Sequence, residues 1–339
     1  MTEPRFVLAP MDGMTHASFR SICFAYGADG ATTEMIQSLA LGRAKRKLSD
    51  TFAETMARLD GEGELAAQLI GSVPEMMGES ARRLTAMGRF DAIEINMGCP
   101  ARCVVGSGNG SALLRTPERA VAVMRAVREA TALPVRLKLR LGWDEREITA
   151  PQLVAAARDL GFQRCTVHGR TRMQFYKGPV DTAAIRAICE STDMPVYANG
   201  GVTSAQDALT FLRKTGAAGV SIGRAALKQP WIFDDIRRLC RGEQTPEREA
   251  SERIALLTKL AALACLHRPE KVAVCEMRKF SRWILAGLTG WETVLAAMNQ
   301  ITGLEDFKRL LEGYGDGLVR SGDTRVHPEL LPEITLDTV

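Results

Sequence analysis

Cys99 precedes Pro100 in the run Asn96-Met97-Gly98-Cys99-Pro100, just past an apolar segment. Proline stiffens the turn that carries the thiol, so the sulfur can be presented for catalysis. A lone cysteine is also a common small core residue. The following stretch, Gly106-Ser107-Gly108-Asn109-Gly110-Ser111, is expected to move as a lid beside it. Two glycine-bearing turns suit a phosphate: Asn199-Gly200-Gly201, and the run from Gly219 that ends in Gly223-Arg224. Glycine lets backbone N–H groups approach an anion, and Arg224 adds charge; the same glycines also serve a plain tight turn. Lys138 sits among leucines and shares its strand face with Arg136 and Arg140. An anionic ring or a phosphate would satisfy it, as would an ion pair with Glu94 or Asp91. His168 and Gln68 end two further apolar runs; each offers hydrogen bonds to a ligand or to a neighbouring side chain.

The elements that must hold these residues are legible as an alternation. Short apolar or β-branched runs at 6–9, 31–33, 65–70, 92–96, 135–140, 164–168, 196–199 and 219–222 predict strands. Amphipathic stretches at 74–87, 117–131, 149–160, 181–191 and 204–214 predict helices between them. Eight strands alternating with helices over the first 240 residues predict an α/β fold, a (β/α)8 TIM barrel. The chemically distinctive residues fall at or just past strand ends, which a barrel gathers on one face and an open sheet spreads along an edge.

After residue 240 the strand signal stops. Apolar residues at 254, 257, 260 and 264 mark a helix, with further helical runs at 271–288, 291–301 and 304–314. The expected organisation is a catalytic barrel at 1–240, a small C-terminal α-helical domain at 241–314 and a loosely ordered tail at 315–339. The 339 residues carry a net charge of +4; those after 240 hold 13 basic against 15 acidic residues. This mildly basic balance does not by itself imply a nucleic-acid partner. With 46% hydrophobic and 25% charged residues, the composition is that of a globular protein and excludes a disordered or coiled-coil chain. No apolar run approaches membrane-spanning length, and the start does not read as a signal peptide. Eight scattered cysteines without a CxxC pair predict a reducing cytoplasm and no metal site.

Taken in strand order, the site residues resemble those of the tRNA-dihydrouridine synthase family. The matching segments are APMDGMTHASFR, TEMI, AAQLIGSVPE, INMGCPARCVVGSGNGSALL, VRLKLRLGWD, VHGRTRMQFYKGPVD, VYANGGVTS, GVSIGRAALKQPWIF and EMRKFSRWILAGL, spread over about residues 5–315. The resemblance implies an FMN-dependent enzyme that reduces the C5=C6 bond of a D-loop uridine in tRNA, with NADPH reloading the flavin. It implies Cys99 as the proton donor. It places Pro10, Met11 and Asp12 beside the flavin ring through backbone groups, and Gln68, Lys138 and His168 as its hydrogen-bond partners. Asn199, Gly200, Gly201, Gly223 and Arg224 would hold the FMN phosphate. The target base must leave its stack to be reached. Candidate RNA contacts are Arg43, Lys45, Arg46, Lys47, Arg102, Arg172, Arg278, Lys279 and Arg282. Arg102 and Thr182 depart from the usual family residues, as do Phe280 and Ile284. Two other readings remain open: an FMN-dependent reductase of a free small molecule, and a catalytically silent RNA-binding protein.

Overall fold

The computed structural model describes residues 3–43, 55–327 and 330. Eight parallel strands close into a barrel in the order β1-β2-β3-β4-β5-β6-β7-β8. They are β1 Arg5–Leu8, β2 Ala31–Gln37, β3 Leu65–Ile70, β4 Ala92–Met97, β5 Val135–Arg140, β6 Arg164–His168, β7 Val196–Asn199 and β8 Gly219–Ile222. Closure is made by β1 on β8, with Arg5 opposite Gly219 and Leu8 opposite Ile222. β2 runs four residues beyond its apolar signal, through Glu34 to Gln37, across a register shift between Thr32 and Met35. Among the described residues, no helix is long and apolar enough to cross a membrane.

Strand alternation puts a polar column inside the barrel. On β5, Leu137 and Leu139 alternate with Arg136, Lys138 and Arg140. Registers then set Arg136 beside Glu94 and Arg164, Lys138 beside Asn96 and Thr166, and Arg140 beside His168. The N-terminal end is closed by charge. Arg5, Arg136 and Arg164 converge on the Glu64 carboxylate, with Arg5 at 2.5 Å and Arg164 at 3.6 Å. Arg136 Nε also donates to Gln163 Oε1 at 2.6 Å, and the Arg164 guanidinium lies 4.4 Å from the centre of the Tyr197 ring. Helices cover the outside. Those at Pro74–Ala86 and Pro117–Ala130 both start on proline, whose fixed φ suits the first helical position, and both carry an acidic residue in the first turn.

The chain divides into two compact units. One comprises residues up to Gly223 together with Ile232–Ile236; the other comprises Arg224–Trp231 and the residues from Arg237 onward. The division therefore lies earlier than the expected boundary at 240. The segment Ile232–Ile236 counts with the barrel because Ile232, Phe233 and Ile236 are buried. In the second unit, helices Ala250–Cys265, Glu270–Ile284, Trp291–Met298 and Leu304–Ser321 bury one apolar face each. Arg253 ties this unit together: its guanidinium lies 5.1 Å from the Trp231 ring centre and donates to the Ile284 carbonyl at 2.9 Å.

The expected tail from 315 is corrected. The last helix runs through Gly313, Gly315 and Gly317 to Ser321. Glycine disfavours a helix interior, but Phe307, Leu311 and Leu318 are buried along one face and hold the helix in place. A Cβ on Gly315 would lie 3.1 Å from Ile254 Cδ1, so this glycine permits a close crossing with the helix Ala250–Cys265. It serves packing where the sequence pattern suggests a stop.

Candidate active site

The turn after β4 is pinned from three sides. Asn96 Oδ1 accepts the backbone N–H groups of Gly98 at 3.0 Å and Cys99 at 2.9 Å. Arg140 Nε donates to the Gly98 carbonyl at 2.8 Å. Ser111 donates twice to the Cys99 carbonyl, through its backbone N at 3.1 Å and its Oγ at 2.8 Å. Residues Gly110–Arg115 form a 3-10 turn whose Ser111 is bonded back to the cysteine. The Cys99 thiol is half-buried. Burial pushes its pKa up and the Asp12 charge adds to this, while the Ala101 N–H and the Arg140 charge oppose. The group is a neutral thiol at pH 7, with a proton to give.

A buried relay runs from this turn into the barrel. Asn96 Nδ2 donates to Gln68 Oε1 at 2.9 Å, and Gln68 Nε2 donates to Glu94 Oε1 at 2.7 Å. Burial pushes the Glu94 pKa up, opposed by the Lys138 charge, the Gln68 bond, the Arg164 charge and a bond from the Thr32 hydroxyl. Lys138 Nζ donates to Asn199 Oδ1 at 3.0 Å, and Asn199 Nδ2 donates to the Ser221 carbonyl at 2.7 Å. Loss of water around the half-buried Lys138 ammonium pushes its pKa down to about 8, against the upward pull of Glu94. Of the two ion-pair partners considered for Lys138, Glu94 supplies the field. Asp91 is engaged elsewhere, by the Leu65 N–H and by Arg58.

His168 ends β6 with its ring against the β7 turn. Arg170 Nη1 lies 3.2 Å from His168 Nε2. A guanidinium only donates, so Nε2 accepts, the imidazole is neutral, and its proton sits on Nδ1. Arg170 is itself fixed by two bonds to the Gly178 carbonyl, at 3.1 and 2.8 Å. Gly200 has φ +109°, and a Cβ there would meet His168 Cδ2 at 2.6 Å and Nε2 at 2.7 Å. Only glycine lets the turn pass this close to the ring. A cleft of about 320 Å³ opens beside it, lined by Arg170, Val180, Gly200, Gly201, Val202 and Phe211. The β1 end comes to the same face. A Cβ on Gly223 would lie 3.5 Å from Met11 Sδ, so the methionine side chain lies along the β8 end.

The backbone of Met11 is already spent. Its N–H is taken by Thr15 Oγ1 at 3.0 Å, and its carbonyl accepts from Met14 and Thr15. Asp12 is exposed and accepts from the Met35 N–H. Pro10 is half-buried just before this turn. Arg20 braces the loop from below, donating to the Thr15 carbonyl at 2.8 Å and pairing with buried Glu62 at 3.1 Å.

The structure thus brings Cys99, Gln68, Lys138, His168 and Asn199 together with the Gly200 turn. Arg224 opens the short helix Arg224–Lys228 in the second unit. Among the expected RNA contacts, Arg43 and Arg102 are exposed. Arg172 is stacked, with its guanidinium 4.7 Å from the Trp143 and 4.8 Å from the Phe175 ring centres. Lys45, Arg46 and Lys47 lie outside the described residues. In the second unit Lys279 and Arg282 are exposed. Arg278 is instead committed to the end of a helix, donating to the carbonyls of Met298, Asn299 and Ile301 at 3.0–3.3 Å. Sequence reasoning did not find Ser111, Thr15 or Arg170 as site residues. All three lie inside the matching segments quoted above, but their contributions run through backbone carbonyls or a neighbouring ring, which the residue types alone do not announce.

Comparison with known proteins agrees with this geometry. A family model described as dihydrouridine synthase matches residues 7–316. A probable tRNA-dihydrouridine synthase of Rhizobium leguminosarum bv. phaseoli is 41% identical over 283 residues, 83% of this chain and 85% of that protein. The tRNA-dihydrouridine synthase B of Pseudomonas aeruginosa is 36% identical over 301 residues, 88% of each chain. Among solved structures, histamine dehydrogenase from Rhizobium sp. 4-9 superposes with a TM-score of 0.52 at 12% identity. That match covers 76% of this chain and 48% of the other, and it shows the fold alone. On the extent of the family match and the identity to these relatives, the chain belongs to the dihydrouridine synthase family.

Proposed function

We propose that this chain is a tRNA-dihydrouridine synthase, which reduces the C5=C6 bond of a D-loop uridine. The observation that carries the reading is a protonated, half-buried Cys99 thiol on a turn whose backbone takes five hydrogen bonds, within the field of the Lys138 ammonium. The residues present fit an FMN. Lys138 is a donor suited to an electron-rich ring, and His168 ends the neighbouring strand at the same face. One Nε2 hydrogen of Gln68 is left over from its bond to Glu94. The Asn199-Gly200-Gly201 turn and Gly223 suit a phosphate, since glycines leave backbone N–H groups open to an anion. Pro10, Met11 and Asp12 lie at the β1 end of the same face.

When bound, FMN reduced by NADPH would supply hydride-transfer chemistry toward C6 of the uracil. The chain's own residues supply the rest. Cys99 Sγ gives its proton to C5 as the C4 carbonyl conjugation collapses, and the thiolate recovers a proton from water. Clamping by Asn96, Arg140 and Ser111 keeps the sulfur from swinging away between turnovers. The Lys138 ammonium offsets negative charge that gathers beside it during reduction. Arg102, Arg172, Lys279 and Arg282 contribute to holding the RNA, by charge on phosphate and by the stacked guanidinium of Arg172. Such a reaction belongs in the cytoplasm, where tRNA and reduced nicotinamide cofactor meet.

The test incubates the purified protein and NADPH with unmodified tRNA transcripts, and separately with free uridine. Dihydrouridine in the tRNA alone supports the reading. Conversion of free uridine at a comparable rate makes it a small-molecule reductase. A colourless protein without flavin absorbance that nonetheless binds tRNA makes it a silent RNA-binding protein.

A further inference from the structure

Phe175 is the one non-glycine residue among the described residues with a positive φ, +50°. A side chain is disfavoured there because its Cβ crowds the following carbonyl, whereas glycine adopts the conformation freely. A bulky residue held against its preference points to a task of its backbone. At Phe175 that task is to meet Arg140. The Arg140 guanidinium is 1% exposed, so its N–H groups must find acceptors inside the protein. Nη1 donates to the carbonyls of Phe175 at 2.5 Å and Thr171 at 3.0 Å, and Nε donates to the Gly98 carbonyl at 2.8 Å. Tyr176, next in the chain, lays its ring over the guanidinium, 5.2 Å from the ring centre. The Phe175 carbonyl and the Tyr176 ring both depend on the backbone turn at 175, while Gly98 belongs to the Cys99 turn. The turn at 175 is held by its own neighbours. Its N–H donates to the Arg172 carbonyl at 3.0 Å, and its ring centre lies 4.8 Å from the Arg172 guanidinium. The ring contact offsets the cost of the left-handed backbone.

We propose that Phe175 is a positioning residue: its left-handed backbone presents the carbonyl that seats Arg140, and through Arg140 it holds the Cys99 turn in its working geometry. For its kinetic consequence this rests on the function proposed above; its structural consequence does not. Alanine at 175 would keep the backbone cost and lose the ring that offsets it, so the loop would relax and withdraw its carbonyl. Glycine would lose the ring as well, but it bears no cost in the left-handed region and leaves the carbonyl on Arg140.

The test compares Phe175→Ala with Phe175→Gly, which both remove the ring and differ in how readily they adopt the turn. It reads Cys99 alkylation by iodoacetamide in the purified protein, with exposed Cys103 as the internal reference. Trypsin cleaves after Arg102 and separates the two cysteines into different peptides for mass spectrometry. In Phe175→Ala the Cys99-to-Cys103 alkylation ratio rises about fivefold above wild type, and in Phe175→Gly it stays within about twofold, the scale set by the left-handed preference of glycine over alanine. On tRNA, kcat is about fivefold higher in the glycine variant than in the alanine variant. Their KM values agree within about twofold, since Arg172 loses the same ring contact in both. Equal alkylation ratios in the two variants overturn the proposal, and so does a glycine variant more reactive than the alanine one. Should Phe175→Ala fail to fold, Phe175→Gly decides alone: a ratio within about twofold of wild type supports the proposal, and a higher ratio or a second failure to fold overturns it. If wild type makes no dihydrouridine at all, the proposed activity falls, while the alkylation comparison still judges Phe175.

Discussion

Gly200→Ala is the substitution whose cost the structure specifies most closely. The backbone there has φ +109°, which an alanine adopts only under strain; such a conformation costs about 1–3 kcal/mol. The new Cβ would stand 2.6 Å from His168 Cδ2, whereas carbon contacts settle at about 3.5–4.0 Å. The imidazole must therefore retreat by about 1 Å, and its 3.2 Å contact with Arg170 goes with it. A lost hydrogen bond of this kind adds about 1 kcal/mol. The total is about 3 kcal/mol, which for a unit of this size lowers the melting temperature by about 6–12 °C. Gly216→Ala is the control: φ is +66° there, but nothing lies within 4 Å of the new Cβ. Only the backbone cost remains, about 1 kcal/mol. Melting followed by far-ultraviolet circular dichroism, with the visible absorbance of the purified proteins as the measure of bound flavin, separates the two. Gly200→Ala should lose flavin and Gly216→Ala should keep it. Equal melting temperatures and equal flavin content in the two variants would refute the argument that the His168 ring leaves no room.

Cys99→Ala should leave tRNA binding within about twofold but slow dihydrouridine formation by about 100-fold or more, the usual contribution of a positioned acid; single-turnover assays on transcript tRNA read both. Lys138 gives a pH signature. In the folded protein it releases its proton at about 8, against an ordinary 10.5. Between those values the unfolded chain binds more protons, so the unfolding free energy rises with pH through that window while the lysine charge at the site is lost. Activity should therefore fall as stability climbs. Lys138→Met should flatten this lysine's contribution in urea titrations between pH 8 and 10, and an unchanged slope would count against it. In the last helix, alanine at Gly313 and Gly317 meets open space and adds about 0.5–1 kcal/mol each; leucine at Gly315 should destabilise the second unit instead, as chemical denaturation would show. Lys279→Ala with Arg282→Ala should weaken tRNA binding and reduce its salt dependence by about one to two units of log-log slope.

Much of the barrel is readable from one sequence because its strands are short apolar runs punctuated by turn residues. Five of them, including 135–140 and 219–222, have the same bounds in the structure. β2 was underread because Glu34 and Gln37 interrupt the apolar run, and only pairing with β3 across a register shift keeps them in the sheet. The helix Ala17–Ala25 left little trace, since buried Ser18 and Arg20 blur its pattern. Lys138, His168 and Asn199 stood out because polar groups at strand ends are rare without a purpose. Arg278 is named with Lys279 and Arg282 as one basic cluster but holds the carbonyls at a neighbouring helix end, a distinction that charge patterning cannot make. The glycines at 313–317 suggest a stop, because spacing alone does not show which neighbour comes close.

The two bonds from Ser111 to the Cys99 carbonyl join the ends of the intervening stretch into a loop of fixed circumference. One added residue between 100 and 110 would displace an end by about 3.8 Å, more than a hydrogen bond can span. The distance between these two residues along the chain therefore behaves as a ruler. A scan of single insertions should show an intolerant interval bounded by Cys99 and Ser111, against permissive corners at Gly88 and Gly161, where a Cβ would meet nothing within 4 Å. Those corners are where a fluorophore or an affinity handle can be attached without disturbing turnover.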